Sequence, residues 1–214
     1  MAAERYPVAV LVSGTGTNLQ ALIDRLHADE REATEIVLVV ASSPDAAALE
    51  RAATAGIPTA VVRKDDHPDR ESRDRHLAEV VRGAGPELVV LAGWMSILTE
   101  AFLDAFPDRV VNLHPSLLPS FPGMHSIEDA LAWGVRYTGV TVHFAEAEVD
   151  AGPPVLQEPV PVVYGDSIET LRERVRGAEH RMLCEAVRLF SQGRVSRNPD
   201  RRREVQISDE GATR

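Results

Sequence analysis

The period of the apolar positions changes several times along this chain. Tyr6–Val12 is a continuous β-rich apolar run. Behind it stands the glycine loop Ser13-Gly-Thr-Gly-Thr-Asn18, and then Leu19, Leu22, Ile23 and Leu26 recur at helical spacing. The opening thus predicts strand, loop, helix. Residues 35–41 predict a second strand, 45–55 an alanine-rich helix, 59–62 a third strand, and 70–82 a helix with weak apolar spacing at its start. Residues 88–92 and 109–113 predict a fourth and a fifth strand. After Gly123 the pattern shifts to a short helix at 126–133 and an alternating strand at 137–144, with Val140, Val142 and Phe144 on one face and Thr141 and His143 on the other. Residues 155–163 read as an edge or irregular strand, because Pro159 and Pro161 cannot donate to a ladder. A long helix follows from about 167 to 191, with Asp166 and Glu169 as a capping-box-like start.

Strands alternating with helices predict a single α/β domain with a doubly wound, mostly parallel, Rossmann-like sheet. Antiparallel strands are expected in its C-terminal part, ahead of the long helix. The domain is expected over residues 1–193, with 194–214 a polar, loosely held tail. Ligands of such sheets sit beyond the carboxyl ends of the strands. The glycine loop, Gly93-Trp-Met95 and the pair Asn112 and His114 all fall on that edge.

Composition narrows the picture. A net charge of −10 over 214 residues, without a long basic block, argues against nucleic-acid binding. Cys184 is the only cysteine, so no intramolecular disulfide can form and a reducing cytoplasm is expected. It lies in a helical pattern beside Met182 and Leu183, as a buried structural thiol would. The first residues lack the charged and apolar regions of a signal peptide, and no apolar run reaches membrane-spanning length.

Candidate chemistry gathers in Asn112-Leu-His-Pro-Ser-Leu-Leu-Pro119 and Asp150-Ala-Gly-Pro153. Residues i and i+2 of a strand share a face, so Asn112 and His114 look into one space, and Pro115 ends the strand after them. An amide, an imidazole and a carboxylate in one cleft suit the transfer of a carbonyl group. Each also has a bland alternative: a strand end for Asn112, a satisfied buried histidine for His114, a turn for Asp150. The glycine loop alone fits a tight β–α turn as well as a phosphate site; it lacks the P-loop ending, and Leu19 stands where a dinucleotide fingerprint has its third glycine. His125 is a secondary candidate, while His143 and His180 carry little signal. Ser116 lacks the strand–helix elbow of a hydrolase nucleophile. No His/Cys/Asp spacing resembles a zinc site.

These motifs, with Leu91-Ala-Gly-Trp-Met-Ser-Ile-Leu98, Pro122-Gly-Met-His125 and Arg176-Gly-Ala-Glu-His180 in the same order, resemble the folate-dependent formyltransferases from about Val8 to Phe190. The likeness is greatest to the purine-pathway branch. It implies a one-carbon transferase with 10-formyltetrahydrofolate as cosubstrate, glycinamide ribonucleotide as acceptor, no metal requirement and room for a homodimer. It makes Asn112, His114 and Asp150 catalytic. It assigns Gly16, Thr17 and Asn18 to the substrate phosphate, and Arg176 and Glu179 to the rest of that substrate. Folate contacts fall on Arg70, Met95, Ser96, Ile97, Leu98, Asn112, Glu146, Ala147, Glu148, Val149 and Asp150. Without the resemblance, Met95, Ile97 and Leu98 read as ordinary core, and Arg70, Arg176 and Glu179 as solvated helix charges.

The chain departs from the family pattern at Ser96, where arginine is common, at Ala151, where glycine is frequent, and at Ser120 and Ile127. Other formyltransferases, acting on methionyl-tRNA or an amino-sugar nucleotide, and formyltetrahydrofolate hydrolases stay open as alternatives; the tRNA enzymes and the hydrolases are expected to carry an added domain. A non-catalytic phosphometabolite- or folate-binding module is the alternative of a different class.

Overall fold

The computed structural model describes residues 5–209. Seven strands form one sheet: β1 (Tyr6–Val12), β2 (Thr34–Ala41), β3 (Thr59–Val61), β4 (Leu88–Leu91), β5 (Val110–His114), β6 (Tyr137–Phe144) and β7 (Pro154–Pro161). Their spatial order is β3-β2-β1-β4-β5-β6-β7. The first five run parallel, and β6 and β7 are antiparallel to their neighbours, as the pattern shift after Gly123 predicts. The proline-bearing β7 lies at the sheet edge, where missing N–H donors do least harm.

The period-2 pattern of the central strand divides the core. Val8, Val10 and Val12 face α1 (Thr17–Leu22), α2 (Ala48–Thr54), α5 (Ser126–Trp133) and α6 (Ile168–Ser191). Ala9 and Leu11 face α3 (Arg70–Gly83) and α4 (Glu100–Leu103) on the other side. A fully buried Leu or Val contributes about 1.5–3 kcal/mol, so β4, buried throughout, and β1, buried at every residue but Pro7, anchor both layers. α1 does not continue as a uniform α-helix: Ile23–His27 is a π-helical turn.

The weak apolar spacing at the start of α3 has a physical cause. Arg73 and Asp74 are buried there as an ion pair, 3% and 0% exposed. Asp74 Oδ2 accepts the Thr99 N–H at 2.7 Å and Arg73 Nη2 donates to the Ile97 carbonyl at 3.2 Å. Two charges thus replace apolar contacts and pin the segment after β4. Removing one partner of such a pair costs about 3–5 kcal/mol.

Two expectations change. The cap of α6 is a reciprocal Ser167–Thr170 capping box, while Asp166 turns back to accept from Val163 N–H and from the Arg174 fork. Of the residues expected to be a loose tail, those at 194–209 carry a hairpin, β8 (Val195–Arg197) and β9 (Val205–Ile207), docked on the domain, while 210–214 lie outside the described residues. Its polar composition hides long-range ion pairs made by Arg197, which reaches Asp108 and Glu146.

Candidate active site

The strand order reverses between β1 and β4, so the loops leaving their carboxyl ends diverge and open a crevice. Ser13 ties the two loops together: its N–H donates to Gly93 O at 3.1 Å, and its Oγ accepts the Met95 N–H at 2.9 Å. Gly16 is left-handed (φ 72°), and a Cβ there would stand 2.6 Å from Ala48 Cβ. Only glycine lets this loop pack so closely on α2.

β5 brings Asn112 and His114 onto the face opposite Val111 and Leu113, as its alternation requires. Asp150 reaches them from the segment between β6 and β7, in a left-handed conformation (φ 54°) that a non-glycine residue seldom adopts. Its Oδ2 lies 3.3 Å from His114 Nδ1 and accepts the Gly123 N–H at 2.8 Å. Its Oδ1 is 3.4 Å from Asn112 Nδ2. The three side chains meet, and the carboxylate is 8% exposed. His114 Nε2 donates to Phe121 O at 2.8 Å, so both ring nitrogens face oxygen. Donation from Nε2 to a substrate requires that carbonyl to yield.

His143 is a fourth member that sequence reasoning passed over. It is the cross-strand partner of Asn112 in the β5–β6 ladder. Its Nδ1–H donates to Phe144 O at 2.9 Å, which leaves Nε2 as an acceptor for Asn112 Nδ2 at 3.1 Å. Burial lowers its pKa, against the backbone hydrogen bond and Asp150, and keeps the ring neutral for that acceptor role. The signal was present in the alternation of 137–144, which sets His143 on the face away from the core; what was missing was the register.

One cleft of about 430 Å³ joins these groups to Asn18 and Glu179 at one end and to Met95, Ser96, Ile97, Leu98, Glu146 and Val149 along its walls. Met95 and Ile97 are exposed, at 60% and 45%, so core packing does not explain them, whereas Leu98 is buried and belongs to the core as well. Glu179 is half-buried on α6. Burial raises its pKa, opposed by Arg176 and by a hydrogen bond with Asn18. Gly16, Thr17, Arg70, Arg176, Ala147 and Glu148 do not line this cleft. Arg70 is exposed at the start of α3, and Arg176 stands 4.0 Å from Glu173. His125 is exposed, and Cys184 is a buried thiol pushed up to about 11 by desolvation.

A hydrogen-bond donor and a carboxylate-held imidazole under an apolar slot, with a separate polar end, are the equipment of a group-transfer enzyme with two small-molecule partners. Comparison with known proteins narrows this class. Residues 6–187 match the family described as formyl transferase, and the chain belongs to that family. It is 44% identical over 180 residues to the phosphoribosylglycinamide formyltransferase of Mycobacterium tuberculosis, covering 84% of this chain and 82% of that one. It is 45% identical to the trifunctional purine biosynthetic protein adenosine-3 of Bos taurus, of which it spans only 18%. Among solved structures, glycinamide ribonucleotide transformylase 1 from Symbiobacterium toebii superimposes with a TM-score of 0.90 at 43% identity, over 97% of this chain and 96% of that one. The phosphoribosylglycinamide formyltransferase of Coxiella burnetii gives 0.89 at 36% identity, over 98% and 97%.

Proposed function

We propose that the chain is a phosphoribosylglycinamide formyltransferase. It moves the formyl group of 10-formyltetrahydrofolate to the primary amine of glycinamide ribonucleotide, giving formylglycinamide ribonucleotide for purine biosynthesis. The observation that carries this reading is the convergence of Asn112, His114 and Asp150 in a cleft that runs from the apolar Met95–Ile97 wall to Asn18 and Glu179.

The amine lone pair attacks the formyl carbon, and the carbonyl electrons move onto oxygen. When the tetrahedral intermediate collapses, the bond to the folate nitrogen breaks and that nitrogen leaves with a proton. One Asn112 N–H is committed to His143, which fixes the plane of the carboxamide; the other, with Nδ2 at 3.4 Å from Asp150 Oδ1, is weakly held and is the donor left for the oxyanion. Asp150 orients His114, which supplies the second donor and gives a proton to the leaving nitrogen, and the proton shed by the attacking amine then recharges the imidazole, so none is gained or lost overall. The apolar wall takes the pterin, with Glu146 to Asp150 facing it. Gly16, Thr17 and Asn18 take the phosphate, and Glu179 takes the amine or sugar hydroxyls. Arg70 and Arg176, outside the cleft, are reserved for the folate glutamate tail and the phosphate. We read the enzyme as cytoplasmic, which a chain with one cysteine and so no intramolecular disulfide suits; homodimerisation is checked by sedimentation equilibrium.

The test is substrate omission. Purified protein is expected to consume 10-formyltetrahydrofolate only when glycinamide ribonucleotide is present; equal turnover in water alone means hydrolysis and sinks the reading. His114→Ala is expected to abolish transfer while folate still binds, whereas a binding module shows no turnover before or after.

A further inference from the structure

The hairpin β8–β9 touches the domain at positions that matter for the cleft. Arg197 Nη1 pairs with Asp108 Oδ1 at 2.5 Å, two residues before β5, and its Nη2 pairs with Glu146 Oε1 at 3.0 Å. Its guanidinium carbon lies 5.2 Å from the ring centroid of Phe144, the last residue of β6. Nε and Nη2 also donate to Arg202 O, at 3.2 and 2.8 Å, which locks the fork inside the hairpin turn. Arg203 Nη1 donates to Ala151 O at 2.9 Å.

Glu146 and Ala151 bracket Asp150, whose left-handed backbone needs support from its surroundings. We propose that β8–β9 is a clamp on the 146–151 loop, with Arg197 and Arg203 as positioning residues that hold the Asp150 carboxylate in register with His114 and Asn112. Arg197 joins this loop to Asp108, where the chain enters the strand bearing Asn112 and His114, so one guanidinium spans both halves of the site. The carboxylates it meets are 60% and 38% exposed, and pairs of that kind add little to global stability. Their effect is therefore local. The clamp rests on the formyl-transfer reading for its consequence in rate, but not for its effect on the loop.

The test uses full-length Arg197→Gln, Arg203→Gln and the double variant. Hydrogen–deuterium exchange over 145–152 is expected to quicken severalfold, with the thermal midpoint within a few degrees of the parent. Because small misplacements of reacting groups are amplified in rate, kcat is expected to fall on the order of tenfold in the double variant, with a rise in KM for 10-formyltetrahydrofolate. Arg197→Lys keeps the charge but loses the fork and is expected to recover part of the rate. Unchanged exchange in the double variant overturns the clamp, and so does faster exchange with unchanged kcat and KM. If Arg197→Gln fails to fold, Arg203→Gln, which removes only the Ala151 contact, decides by the same readouts. An unsubstituted chain that transfers no formyl group overturns the function instead, and the exchange result alone then judges the clamp's hold on the loop.

Discussion

His143 stands directly across the β5–β6 ladder from Asn112, and its acceptor nitrogen lies 3.1 Å from the Asn112 amide nitrogen. Because Nδ1 donates to Phe144 O, Nε2 can only accept while the ring is neutral. The imidazole therefore decides which way the carboxamide points. His143→Phe removes that acceptor and lets the amide turn. The expected result is a fall in kcat on the order of tenfold or more, approaching the hundredfold typical of a lost oxyanion donor. KM for glycinamide ribonucleotide should change little, since Asn18 and Glu179 are untouched. Steady-state kinetics checks this, and an unaltered kcat would remove His143 from the site.

A second prediction concerns Gly152, two residues after Asp150. A Cβ at Gly152 would fall 1.8 Å from Phe144 O, an impossible approach that no rotamer relieves because the obstacle is backbone. Gly152→Ala must displace the segment that presents Asp150. A loss of kcat of on the order of a hundredfold is expected, in line with misplacement of a catalytic group. Activity close to that of the parent, measured at saturating substrates, would mean that the loop position is not critical.

Much of this arrangement could be read from residue order. Asn112 and His114 share a face because strands have a period of two, and β7 is marked as an edge by Pro159 and Pro161. Other features depend on partners far along the chain. His143 acquires its role only from the β5–β6 register. The hairpin at 195–207 is polar in composition and is held by Arg197 against Asp108 and Glu146, which no local pattern announces. The resemblance assigns ligand contacts to Arg70 and Arg176, yet a helix charge has no direction until its helix is packed, and neither residue lines the cleft. Asp166 and Ser167 are equally good caps by residue type, so local sequence does not choose between them; the geometry gives the task to Ser167 and turns Asp166 to Arg174.

Stability should fall on mild acidification. His27, His143 and His180 are all lowered from 6.5, each with burial as the largest cause. His27 Nδ1 accepts the Ile36 N–H at 3.1 Å, so it too must be neutral in the fold. With the folded values depressed, the unfolded chain binds more protons as pH drops through 6.5, and the stability from these neutral rings, complete above that value, is progressively lost below it. The urea midpoint is expected to be lower at pH 5.5 than at pH 7.5. His27→Leu should lessen the difference without affecting formyl transfer, and identical midpoints for the parent at both pH values would refute the linkage.

The polar end of the cleft should have its own pH signature. Burial raises the Glu179 carboxyl above 4.5, with Arg176 and Asn18 only partly opposing it. The group therefore takes up its proton at a higher pH than a free glutamate, and the anionic form that would receive an amine is depleted first on the acid side. KM for glycinamide ribonucleotide is expected to climb as pH falls towards that raised value, while KM for 10-formyltetrahydrofolate, which the proposed function assigns to the Met95–Ile97 wall, is expected to stay nearly level. Glu179→Gln keeps the shape and removes the charge; it should raise KM for glycinamide ribonucleotide roughly tenfold, as loss of a charge-assisted hydrogen bond does, and flatten the acid limb. If the substitution leaves the slope of KM against pH as it was, some other group titrates there, and Glu179 serves only to fill the turn of α6 that faces Asn18.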